Sequence, residues 1–132
     1  MEFVDDDMEP DPELKRVTNL IIGAAIAVHR ELGPGHPESA YQKALAIEFY
    51  ERGIRYVPQF RYELMYRGRP VGEGFLDFVV EGVVVEIKSA EMLAPVHTAQ
   101  VIGYLRATHL KLGLLINFNV KLLKEGIKRI SY

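Results

Sequence analysis

The chain has no cysteine among its 132 residues. Disulfides, thiolate catalysis and cysteine-ligated zinc are therefore excluded. Long apolar runs are missing too. The longest, Leu20 to Val28, is far short of the roughly 20 residues that span a bilayer. Bases are absent from the opening: residues 1–13, MEFVDDDMEPDPE, hold seven acids and no Lys or Arg. A secretory signal begins with basic residues followed by an apolar run, so a cytoplasmic location is the expectation. Beyond this leader the sequence has no repeat and no low-complexity tract.

The composition, 48% hydrophobic and 26% charged, is that of an ordinary soluble globular domain, and the length allows one real core but not two. The net charge of −2 hides an asymmetry. Without residues 1–13, 11 acids face all 16 Lys and Arg, giving a formal charge of +5. A mildly basic body is compatible with a polyanionic partner. The expected organisation is a solvated, disordered acidic leader over 1–13 and a single domain over 14–132.

Apolar residues at Leu14, Val17, Leu20/Ile21, Ala24/Ala25, Val28 and Leu32 predict a helix over 12–32, closed by Gly33-Pro34-Gly35. A second helix is expected over 37–52, with Pro37 in its first turn and Gly53 past its end. Residues 54–66 suggest a strand and 67–70 a turn. Residues 75–80 and 83–89 suggest a hairpin joined at Glu81-Gly82. Pro95 opens a third helix to about Leu110, and 112–118 (LGLLINF) suggests a buried strand. The closing KLLKEGIKRISY fits either a helical turn or a strand. The resulting order, α-α-β-β-β-α-β, implies a mixed sheet with helices against it.

The stretch VVVEIKS at 83–89 places two charges in an otherwise apolar strand. Alternation puts Val84, Glu86 and Lys88 on one face and Val83, Val85 and Ile87 on the other. In the preceding strand Asp77 should lie with Phe75 and Val79, opposite Leu76, Phe78 and Val80. A register pairing Asp77 with Glu86 would bring two carboxylates and an ammonium together, and a divalent cation would relieve the repulsion. Glu38 falls on the helical stripe of Tyr41, Leu45 and Phe49, where a carboxylate needs a partner unless it only faces the helix dipole. His97, Gln100 and Tyr104 share another stripe, and the last two can donate hydrogen bonds to a phosphate or a metal-bound water. Each signal alone has a structural explanation: an E-x-K pair is commonplace, and a lone histidine is more often structural. His29 and His109 carry no functional signal.

In order, these elements resemble the PD-(D/E)XK nuclease superfamily, and within it the GxxExxY family of small proteins. Gly35-His36-Pro37-Glu38-Ser39-Ala40-Tyr41 matches the name motif, Asp77 the superfamily aspartate, and Glu86-Ile87-Lys88 the (D/E)-x-K element. Gln100 to Tyr104 matches the Q-x-x-x-Y element of the RecB-like exonuclease branch. The resemblance covers about residues 14–130. One departure is Leu76, which stands where a proline commonly precedes the aspartate.

The resemblance implies a three-layer α/β/α, restriction-endonuclease-like core with a central mixed sheet of four strands. It implies Mg²⁺- or Mn²⁺-dependent hydrolysis of DNA phosphodiesters. Asp77, Glu86, the Ile87 carbonyl and Glu38 would hold the metal, and Lys88 would position water or stabilise developing charge. Gln100 and Tyr104 would orient the nucleophile or a phosphate, with His97 as an additional contact. The competing reading is a non-catalytic module that keeps the fold and binds nucleic acid or a protein. A two-carboxylate glycosidase would leave Lys88 and the Gln100/Tyr104 stripe unexplained.

Overall fold

The computed structural model of the chain describes residues 3, 4 and 11–132, the first two as backbone only. The first helix, α1 (Pro12–Leu32), starts where the Asp11 carboxylate accepts the Leu14 N–H at 2.9 Å, with Pro12 pre-set for the first turn. This cap places the helix start two residues before the expected domain boundary. The second helix, α2 (Glu38–Glu51), follows Pro37, which is the N-cap residue itself and not part of the first turn. Val17, Ile21, Ala24, Ala25 and Val28 of α1 and Tyr41, Leu45 and Phe49 of α2 are buried. They form one core with Val83, Val85, Ile87, Leu114 and Ile116 of the sheet.

The strands are β1 (Phe3–Val4), β2 (Val57–Tyr66), β3 (Arg69–Val80), β4 (Val83–Lys88), β5 (Leu112–Asn117) and β6 (Ile127–Ser131). They form one six-stranded sheet in the order β1-β6-β5-β4-β3-β2. Among the described residues only β4 and β5 pair in parallel, and the crossover between them is helix α3 (Pro95–Thr108). On the face opposite α1 and α2, Val101, Tyr104 and Leu105 of α3 pack against Leu76, Val84, Leu115 and Ile130. The expected three-layer α/β/α architecture is thus present. The sheet exceeds the four expected strands because β6 and β1 extend it beyond β5. The ambiguous closing segment contains both of its alternatives, a 3₁₀ turn at Leu123–Gly126 and then β6.

The expected leader over 1–13 lies mostly outside the described residues. Of those described, Phe3–Val4 pairs with β6, and Pro12 and Glu13 belong to α1. Two turns, Arg67-Gly68 and Glu81-Gly82, have positive φ at both residues. Such turns match the twist of the strands they join. β3 begins at Arg69, six residues before the expected start, because β2 pairs along its whole length. No helix among the described residues is long and apolar enough to cross a membrane.

Candidate active site

Strand β4 is buried from Val83 to Ile87, which follows from its central place in the sheet between β3 and β5. Its backbone pairing with β3 ends at Phe78↔Val85. On the next rung, side chains replace the backbone bonds. The Ile87 N–H donates to Asp77 Oδ2 at 2.8 Å, and the Asp77 N–H donates to Glu86 Oε1 at 3.3 Å. β2 is irregular at the same level: Gln59, between the Pro58↔Phe78 and Phe60↔Leu76 pairs, has φ of 49°. This conformation is uncommon for a residue with a side chain, and such departures concentrate at functional sites.

The irregular rung corrects one expectation. Leu76, Phe78 and Val80 do not share a face: Leu76 packs on the α3 side, whereas Phe78 and Val80 pack under α1 and α2. The strict two-residue alternation holds only while the ladder is regular, and it breaks at Asp77.

Glu86 is only 5% exposed. Lys88 Nζ lies 3.7 Å from Glu86 Oε2, and the Tyr104 hydroxyl donates to the same oxygen at 3.4 Å. Among the described residues, no buried side-chain N or O lacks a hydrogen-bond partner. Burial pushes the Glu86 carboxyl well above the usual range, and the Asp77 charge pushes it further. Burial also raises Asp77, against the pull of the Ile87 N–H and Lys88. The Tyr104 hydroxyl is raised by burial and by the neighbouring Glu86 charge.

The remaining residues expected at the site stand farther out. Glu38 is exposed in the first turn of α2, yet burial of its carboxyl raises its pKa, opposed by Lys88 and His97 and reinforced by Asp77. The α2 N-terminus therefore shares the electrostatic environment of the β4 end. Among the described residues, however, no three His, Asp or Glu side chains stand together as a ready-made metal site. His97 Nδ1 accepts the Ala94 N–H at 3.0 Å, which caps α3 and gives the ring a structural task. Gln100 is exposed on α3 one turn before Tyr104, and its side chain makes no hydrogen bond to a described residue. The Ile87 carbonyl shares a strand edge with its N–H, on the side of Asp77.

Among the supporting residues Tyr41 is the last position of the 35–41 motif, whereas Ser89, Asn117 and Tyr62 carried no sequence signal. The Tyr41 hydroxyl donates to Gly33 O and accepts the His36 N–H, and its ring stacks on Phe118 at 4.6 Å. The loop before Glu38 is thereby held against the core. Ser89 Oγ donates to His36 O at 2.6 Å, tying that loop to the end of β4. Asn117, 2% exposed, pairs with both the N–H and the carbonyl of Ala90. Tyr62 packs 5.2 Å from Tyr104, over Gly74 of the neighbouring strand. A Cβ at Gly74 would meet the Tyr62 ring and hydroxyl, so the close approach requires glycine there.

The sequence profile of the PD-(D/E)XK nuclease superfamily matches residues 15–130, nearly the whole chain. The chain belongs to that superfamily. No curated protein and no solved structure matches it. PD-(D/E)XK proteins are in general nucleases, acting on nucleic acid with the help of divalent metal ions. The donors here suit such an ion. Asp77 and Glu86 supply hard carboxylate oxygens from adjacent strands, and Mg²⁺ needs only one or two protein carboxylates because it keeps several waters.

Proposed function

We propose that this chain is a metal-dependent nuclease that hydrolyses DNA phosphodiester bonds, with Asp77, Glu86 and Lys88 at its centre. The observation that carries the reading is the side-chain-closed rung: the Asp77 carboxylate accepts the Ile87 N–H, the Glu86 carboxylate accepts the Asp77 N–H, and an ammonium lies 3.7 Å from Glu86. Asp77, Glu86 and the Ile87 carbonyl would hold Mg²⁺ or Mn²⁺, with Glu38 reaching it directly or through water. Bound there, the ion would lower the pKa of a coordinated water and neutralise phosphate charge. Lys88 offers a compact positive charge to the developing negative charge. Tyr104 holds the Glu86 carboxylate in place through its hydroxyl. Gln100, exposed on the same helix, is available to orient a phosphate or the attacking water. The motif at 35–41 supports the GxxExxY family within the superfamily, and Gln100 with Tyr104 supports kinship with the RecB-like exonucleases.

The test is cleavage of DNA in Mg²⁺ or Mn²⁺. Activity is expected to stop with chelator and to fall about 10²–10³-fold in Lys88→Ala, the usual loss of one transition-state charge partner. A second reading, a module that binds without cutting, is favoured by one feature: Glu86 already has Lys88 as its counter-ion, and among the described residues no third acid joins the pair. Salt-sensitive DNA binding without cleavage in either metal would decide for it.

A further inference from the structure

Only the last three residues of β3, Phe78 to Val80, pair with β4, whereas β2 pairs with β3 as far as Tyr66↔Arg69. Because β3 runs antiparallel to β4, extending that register sets Phe75 opposite Lys88 and carries residues 69–74 past it, beyond the end of β4 where the candidate site lies. At about 3.3 Å per residue, this two-stranded ribbon reaches roughly 20 Å outward. Its root faces the site, since Tyr62 packs on Tyr104 and Tyr104 bonds to Glu86.

The charge on the ribbon is sorted along its length. Near the root, the acids Glu63 and Glu73 are both paired with Arg61. From Leu64 to Gly72 there is no acid, and the turn carries Arg67 and Arg69. Neither of these arginines has an acidic partner among the described residues, and the Arg67 guanidinium lies 5.4 Å from the centre of the exposed Tyr66 ring.

We propose that this ribbon is a grip for double-stranded DNA, its arginine tip lying in the groove and on the phosphates beside the bond presented to Lys88. The major groove admits a two-stranded antiparallel ribbon, and a twisted ribbon follows its curve. The other candidate occupant is a second copy of the chain, because Leu64, Met65 and Val71 are about half exposed. Strand-to-strand pairing along the free edge of β2 is opposed by Pro58, by the positive φ at Gln59 and by the register shift at Leu64/Met65. Charge complementarity favours the duplex. The proposal rests on the nuclease reading and names its substrate class.

The experiment measures binding of a labelled DNA duplex longer than two helical turns, in chelator, across a salt series. Arg67→Ala/Arg69→Ala is expected to weaken duplex binding about tenfold or more. It should also flatten the log–log salt slope by about 2, as expected for two lost phosphate contacts. Single-stranded DNA should bind the wild type more weakly and be insensitive to the substitutions. Equal duplex affinity and slope in wild type and variant would overturn the proposal. So would an equal loss on single strands, or a dimer dispersed by Leu64→Asp while duplex binding ignores the arginines. A separate metal-dependent cleavage assay keeps the two readings apart. Cleavage that persists unchanged in the double variant sinks the grip alone, whereas no binding and no cleavage by the wild type sinks the nuclease reading with it.

Discussion

Between Leu76 and Val80, strand β3 lies between two other strands under helices on both faces; between Arg69 and Phe75 the same strand has β2 as its only partner, and all but Gly74 is exposed. In the covered half, every polar group must find its partner inside the protein, since an unpaired one costs about 1–3 kcal/mol. Asp77 meets that demand by accepting the Ile87 N–H and Glu86 by accepting the Asp77 N–H, which locks their carboxylates in register. In the open half, water solvates the charges, and Arg67 and Arg69 remain available to a ligand without penalty to the fold. One strand thus carries two kinds of polar chemistry, one rigid because it is buried and one accessible because it is not.

Substitutions on the two halves should separate these roles. The largest effect is expected for Glu86→Gln, which keeps the shape but removes a charged ligand. Mn²⁺ affinity should fall about 100-fold, or ~2.7 kcal/mol, in a domain that still melts cooperatively. An unchanged affinity by calorimetric titration would detach the rigid half from metal binding. Next is Asn117→Ala, which strips two hydrogen bonds from Ala90 just past the β4 end. Chemical denaturation should show a loss of about 2 kcal/mol. Gly74→Ala sits at the boundary and forces the Tyr62 ring off the strand; the overpacking should cost about 1–2 kcal/mol. If nucleic-acid cleavage falls further than this destabilisation explains, Tyr62 and Tyr104 act together on Glu86. The smallest effect is expected for Arg69→Ala, which should leave the thermal midpoint unchanged because nothing in the described fold pairs with that side chain. A lowered midpoint would mean the open half also supports the fold.

The helices were legible because their signals are local. The 12–32 periodicity predicts α1 with its observed bounds, and Glu81-Gly82 predicts the hairpin that presents Glu86. The meeting of Asp77 with Glu86 was legible only as a condition on register, and Phe78↔Val85 places the two residues on successive strands at one rung. The shift of Leu76 to the other face was not legible, because alternation assumes an unbroken ladder. Nor was the capping task of His97, which depends on where the chain before α3 turns. The roles of Ser89 and Asn117, and the partners of the motif residue Tyr41, escaped notice for the same reason: those partners are backbone groups of other loops, and backbone groups carry no sequence signature.

What the sequence determined by itself is the three helices, the four central strands and the superfamily. Hydrophobic period, caps and turn residues act between near neighbours, and the order of Glu38, Asp77, Glu86, Lys88, Gln100 and Tyr104 is a linear pattern. Only the tertiary structure decided which of these groups touch. It sets a half-buried Asp77 and a buried Glu86 at one irregular rung, leaves Glu38 and Gln100 at the rim, and carries the β2–β3 ribbon past the site. Those outcomes depend on strand register and helix placement, which arise from packing across the whole chain and not from any stretch of it.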